Sequence, residues 1–120
     1  MKPRIERSGL RSITIAGVQF DHDVIIRLNG AVEKRKKELS PLVQGASHLI
    51  ALAEAKHIYE PGAHWLIIGT GQAELVELSP EAADFFKQHE CQAQLLSTVK
   101  AIRAWNSAEG AVIGFFHVMC

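Results

Sequence analysis

Along the first third of this chain, apolar positions recur with the period of a strand. Ser12 to Ile15 alternates, Ala16-Gly17 is a tight-turn pair, and Val18 to Phe20 follows, which predicts a first antiparallel hairpin. The β-branched run Val24-Ile25-Ile26 leads into Asn29-Gly30, a strong hairpin-turn dipeptide, so a second hairpin is predicted to return over Ala31 to Lys36. Arg4 to Gly9 is polar and reads as a lead-in, and Glu38 to Ser47, with Pro41 and Gly45, reads as a loop. The period then lengthens. Leu52, Ala55 and Tyr59 share one face of a predicted helix that Pro61-Gly62 ends. Ala51 at its N-cap offers no capping side chain, while Glu54 sits where a capping box places its acid. Trp65-Leu66-Ile67-Ile68-Gly69 is an unbroken apolar run, the pattern of a strand covered on both faces. A short strand is predicted over Leu75 to Leu78, and Ser79-Pro80-Glu81 opens a helix that buries Ala82, Phe85 and Phe86. Gln92 to Leu96 reads as a strand. Ser97 or Thr98 caps a helix to about Ser107 that buries Ala101, Ile102 and Trp105, and Ala111 to Val118 forms the last strand.

A hairpin unit followed by alternating helices and strands makes this an α/β layered domain, and 120 residues suit a single one, 1–120. Lys plus Arg and Asp plus Glu number 13 each, so no global charge draws the protein to nucleic acid or an anionic membrane. The basic run Lys34-Arg35-Lys36-Lys37 has no interleaved aromatic residue and reads as a solvated edge strand. No apolar stretch approaches the roughly 20 residues of a membrane span, and the charged start, Met1 to Arg7, lacks the apolar core of a secretory signal. Cys91 and Cys120 make no disulfide framework, which points to a reducing, cytoplasmic setting.

Candidate chemistry gathers at the end of the apolar run. Gly69-Thr70-Gly71 allows a sharp turn that presents amides and a hydroxyl, and open α/β sheets hold ligands at the carboxyl ends of their strands. A small anion is the expected ligand. The turn lacks the lysine of a phosphate-binding loop and the glycine spacing of a dinucleotide fold. His48 and His117 are candidates for acid–base work near neutrality. Cys120 follows His117 by three residues, but an α-carboxylate on the same residue would raise its thiol pKa. His48, His117 and Cys120 supply no complete ligand set, so neither a metal nor a cofactor is expected. His22, between Asp21 and Asp23, reads as a polar residue at the start of a strand, and His57, His64 and His89 as surface or helix-end residues. Cys91 reads as a small buried apolar side chain.

Four segments together resemble the MTH nine-three-eight domain family: Phe20-Asp21-His22-Asp23-Val24-Ile25-Ile26, Gly45-Ala46-Ser47-His48, Ile67-Ile68-Gly69-Thr70-Gly71 and Phe116-His117-Val118-Met119-Cys120. That family includes mitochondrial complex I assembly factor 3 and the adipogenesis-associated domain protein. The resemblance covers nearly the whole chain. It implies a three-layer fold: a mixed central sheet, its last strand antiparallel to its neighbours, with an added N-terminal antiparallel hairpin layer. It implies a cleft over Gly69-Thr70-Gly71, with Ser47 and His48 beside it, and no established reaction. Its mitochondrial members act as protein-binding assembly factors, so a non-enzymatic accessory module with a protein partner is the first expectation. A small enzyme using His48 and His117 is the alternative. This chain departs from the family pattern at Ala51, Glu74, Glu90 and Met119, the second and last of these near the implied cleft.

Overall fold

The computed structural model describes residues 2–40, 48–71 and 76–118, with His48 described by its backbone alone. Ser47, Glu74, Met119 and Cys120 lie outside the described residues. A five-stranded sheet organises the molecule, in the order β5-β4-β10-β7-β9. These strands are β4 (Val24–Ile26), β5 (Val32–Lys34), β7 (Trp65–Gly69), β9 (Gln92–Leu96) and β10 (Val112–Phe116). Strands β7, β9 and β10 run parallel, and β4 and β5 form the expected hairpin, joined antiparallel to β10. The last strand therefore runs parallel to one neighbour and antiparallel to the other, which corrects the implied antiparallel placement. It takes the middle position, where an unbroken apolar run satisfies both faces.

Side-chain alternation divides the core in two. Ile25, Leu66, Ile68, Ile113 and Phe115 point to one face, where they meet helix α1 (Leu52–Ile58) through Ala55 and Ile58 and helix α2 (Pro80–Gln88) through Ala82 and Phe86. Val24, Ile26, Ile67, Val112 and Phe116 point to the other, against Ala101 and Trp105 of helix α3 (Thr98–Ser107) and Ile5, Ile13 and Ile15 of an N-terminal sheet. That sheet comprises β1 (Ile5–Gly9), β2 (Ser12–Ile15) and β3 (Val18–Phe20), all antiparallel. The layers are thus helices, central sheet, and α3 with the N-terminal sheet. A small parallel pair, β6 (His48–Ile50) and β8 (Val76–Leu78), completes the described elements.

Three segments depart from the sequence-based reading. Arg4 to Gly9 is largely strand rather than lead-in, because β1 is held by backbone pairing and needs only one apolar anchor, Ile5. Asn106 of α3 clasps that residue by accepting from its amide (3.0 Å) and donating to its carbonyl (2.8 Å). The strand β6 was hidden by its shortness, and a 3-10 turn spans Lys37–Leu39. Within the basic run, Lys34, Lys36 and Lys37 are exposed as expected, but Arg35 is buried. Glu90 supplies a left-handed residue after α2 (φ 55°), a conformation in which glycine is the usual choice.

Candidate functional site

The carboxyl ends of the three parallel strands meet at Gly69-Thr70-Gly71, Ser97-Thr98 and His117-Val118. Their connections place a switch point there. From β7 the chain reaches β9 by way of α2 on one face, then returns by way of α3 on the other face to β10, on the far side of β7. Ligands in open α/β sheets favour this kind of crevice.

At the turn itself, most of the polar groups continue the sheet. The Thr70 amide and hydroxyl both donate to the Leu96 carbonyl, at 2.8 and 3.1 Å, tying β7 to β9. The His117 amide donates to the Gly69 carbonyl at 2.9 Å, tying β10 to β7. Gly69 answers a packing need: a Cβ there would stand 2.6 Å from the Phe116 ring. Gly71 takes a left-handed conformation (φ 89°) that turns the chain out of the strand. Gly71 and His117 line one cavity. His48 lies at the start of β6, its backbone paired with Val76.

His117 is 1 % exposed and belongs to a buried polar chain. Its Nδ1 lies 2.9 and 3.0 Å from the two oxygens of Asp23, at the start of β4. Asp23 also accepts from the Val118 amide (2.8 Å) and from Arg35 Nη1 (3.0 Å). Arg35 continues the chain by donating from Nε and Nη2 to both oxygens of Glu54, at 2.6 and 3.0 Å. The Ser40 hydroxyl donates to Glu54 and accepts from the Ala51 amide (3.0 Å). Ser40 thereby satisfies the amide of the N-cap residue Ala51, the bond a capping-box acid at Glu54 would make. Glu54, expected to reach back as a capping acid, faces Arg35 instead because a buried guanidinium requires a carboxylate partner. The guanidinium also lies 5.0 Å from the centre of the Phe115 ring.

The electrostatics follow from these contacts. Burial alone would raise the Asp23 pKa. The hydrogen bond from His117, the Val118 amide, the His117 charge and Arg35 outweigh that and hold the carboxyl well below the usual carboxylate range. For Arg35, burial is outweighed by Glu54 and Asp23, and its pKa is raised. Facing an ionised carboxylate, the His117 Nδ1 is the donor, which fixes the ring's tautomer and orientation. Sequence reading missed Arg35, Glu54 and Ser40. The one available signal was a lone acid, Asp23, opening an apolar β-branched run, where an unpaired charge is costly.

Of the remaining candidates, His22 adjoins this polar chain, sharing a hollow with Asp23 and Arg35, while His57 and Cys91 lie elsewhere. His22 Nδ1 lies 3.0 Å from the Asp23 carbonyl, and His22 lines an open hollow of about 400 Å³ with Asp21, Lys34 and Glu38 among its walls. His57 lies against Arg27, with its pKa lowered first by burial and then by that cation. Cys91 is buried, and burial pushes its thiol up to about 11, which makes it a poor nucleophile. Among the described residues, no group of three or more His, Cys, Asp or Glu could hold a metal ion. No helix there is long and apolar enough to cross a membrane.

This chain belongs to the family described as "Protein of unknown function (DUF498/DUF598)", which matches residues 5–116. Among solved structures it is similar to the conserved hypothetical protein PH1505 from Pyrococcus horikoshii OT3, at 26% identity and a TM-score of 0.87, over 98% of this chain and 99% of the other. It is also similar to MT938, at 27% identity and a TM-score of 0.80, over 99% of this chain and 100% of that one. That likeness bears out the MTH nine-three-eight relationship. A protein from Bordetella parapertussis, 18% identical, shares the fold with a TM-score of 0.72 over 97% of this chain and 95% of the other.

Proposed function

We propose that this member of the family is a non-enzymatic, cytoplasmic accessory module that binds an extended segment of a protein partner along the open edge of β9. One observation carries the reading. Among the described residues, strand β9 has a sheet neighbour on one side only, and beside it runs a groove of about 540 Å³ lined by Leu78, Phe86, Ala93 and Leu95, with Lys87 and Glu90 also on its walls. Leu95 is 39% exposed within it. An unpaired strand edge offers main-chain hydrogen bonds to a sixth strand, and an adjacent apolar groove accepts that strand's alternate side chains. The balanced charge and the poor nucleophilicity of Cys91 agree with a binding role. A photo-crosslinking amino acid at position 95, set against one at exposed Arg7, tests it. The reading expects a light-dependent adduct with a discrete partner from position 95 alone. Equal labelling from both positions, no adduct, or an adduct of the chain with itself would overturn it.

One geometric feature favours a second reading, a small enzyme. Asp23 holds His117 by Nδ1, as an orienting carboxylate holds a catalytic base. That reading requires turnover in a metabolite screen, lost in His117→Gln while the fold persists. Unchanged turnover in the variant would dismiss it.

A further inference from the structure

The cavity that Gly71 and His117 share has a third wall, the N-terminus of α3. Among the described residues its lining is Ser8, Gly9, Arg11, Ser12, Gly71, Thr98, His117 and Val118, none of them a carboxylate. Two helices of similar length show what is unusual here. Helix α2 closes its own end: the Ser79 hydroxyl accepts from the Ala82 amide at 3.0 Å, Pro80 removes one donor, and Glu81 stands in the first turn. Helix α3, ten residues long, has Ser97 at its N-cap without a side-chain capping bond and no acid in its first turn. Its partial positive charge is thus unanswered by its own residues.

A second observation is independent of the helix end. Thr98 is 5% exposed, and its Oγ1 is buried with no hydrogen-bond partner among the described residues. A buried hydroxyl left in that state is unfavourable, because neither its proton nor its lone pairs have a counterpart. The space beside it is small. It offers about 10 Å³ to the centre of a water-sized atom, enough for one oxygen. Arg11, exposed in the β1–β2 turn, forms part of the same lining.

We infer that this cavity takes one oxygen of a small oxyanion, a carboxylate or a phosphate, with Thr98 donating to it and Arg11 neutralising the remainder at the rim. Thr98 and the first amides of α3 supply donors, and the guanidinium supplies charge and planar geometry. Gly71 forms another part of the wall. The sequence-based expectation of an anion at Gly69-Thr70-Gly71 is moved by one strand: the Thr70 groups are spent on Leu96, and the donors come from the next helix. This site does not depend on the β9 groove, so either can fail alone.

Inorganic phosphate, sulfate and formate titrated against the full chain provide the test, followed by thermal shift and by amide NMR at Thr98, Val99 and Gly71, with chloride as the ionic-strength control. The expected result is saturable stabilisation by at least one oxyanion but not by chloride. Phosphate or sulfate without formate assigns the phosphate class; formate assigns the carboxylate class. Thr98→Val and Arg11→Ala should each weaken binding roughly tenfold or more, the loss of one hydrogen bond to a charged group. Ser79→Ala, at the closed helix, should leave it unchanged. Three results would each overturn the inference: no saturable response, an equal response in Thr98→Val and Arg11→Ala, or a crystal grown with phosphate that holds only a water beside Thr98.

Discussion

Two polar clusters adjoin His117, and they are built on opposite terms. Toward β4 lies the chain Asp23, Arg35, Glu54 and Ser40, in which buried charges of opposite sign are matched at hydrogen-bonding distance. Toward α3 lies the cavity where, among the described residues, Thr98 is buried without a partner and the helix end lacks a side-chain cap. The first is self-sufficient and couples three elements: β10, the β4–β5 hairpin and α1. In the second, the described residues leave both the hydroxyl and the helix end without a counterpart. Burial alone does not separate structural from functional polar residues, since both clusters are buried. What separates them is whether the fold supplies every partner itself.

The comparison breaks most violently at Arg35. Arg35→Met leaves two buried carboxylates without their cation and should cost about 3–5 kcal/mol in a urea titration. The same cluster sets the acid limit. The folded-state pKa of Asp23 is depressed, so its stabilisation is present above the unfolded value of about 4 and is lost as pH falls below it. Urea midpoints measured from pH 7 downward should fall below about pH 4. In Asp23→Asn that part of the dependence should vanish, from a lower starting stability.

A smaller disturbance comes at Gly69, where β7 meets β10 behind both clusters. Gly69→Ala sets a methyl 2.6 Å from the buried Phe116 ring. The expected loss is about 1–3 kcal/mol, the usual cost of overpacking, read by thermal unfolding. The helix ends then sharpen the contrast. Ser79→Ala removes a working cap and should cost about 1 kcal/mol, whereas Ser97→Ala removes no side-chain bond and should fall within about 0.5 kcal/mol of the parent. Thr98→Val should give a change of the opposite sign, a gain of up to about 1 kcal/mol in anion-free buffer, because it removes a buried hydroxyl without a partner among the described residues.

Much of the fold was legible in the sequence because it depends on local period and turn chemistry. Asn29-Gly30 marked its hairpin, and Ser79-Pro80-Glu81 marked the start of α2 at the residue where it occurs. Strand β1 was not legible, because the backbone of β2 specifies it and its own side chains hardly do. The site was legible in part. His117 and the Gly69–Gly71 turn stood out by residue type, and the crevice rule indicated the right end of the sheet. Arg35 did not stand out, because inside a run of four cations nothing local distinguishes the one that turns inward. Its partners are Asp23 and Glu54, twelve residues before and nineteen after, so only the folded chain reveals the match. Thr98 was read as a possible cap, and its isolation depends on what Ser8 to Ser12 and Gly71 bring to it.

Strand β10 carries a consequence for how the protein is made. Among the described residues, its five residues are the only ladder between the β4–β5 hairpin on one side and β7 with β9 on the other. During synthesis, both flanks of the sheet leave the ribosome with bare inner edges and must wait, apolar and unpaired, for Val112–Phe116 to arrive. That interval, rather than the finished structure, is when this chain is most exposed to aggregation, and a nascent-chain chaperone would have its greatest effect there.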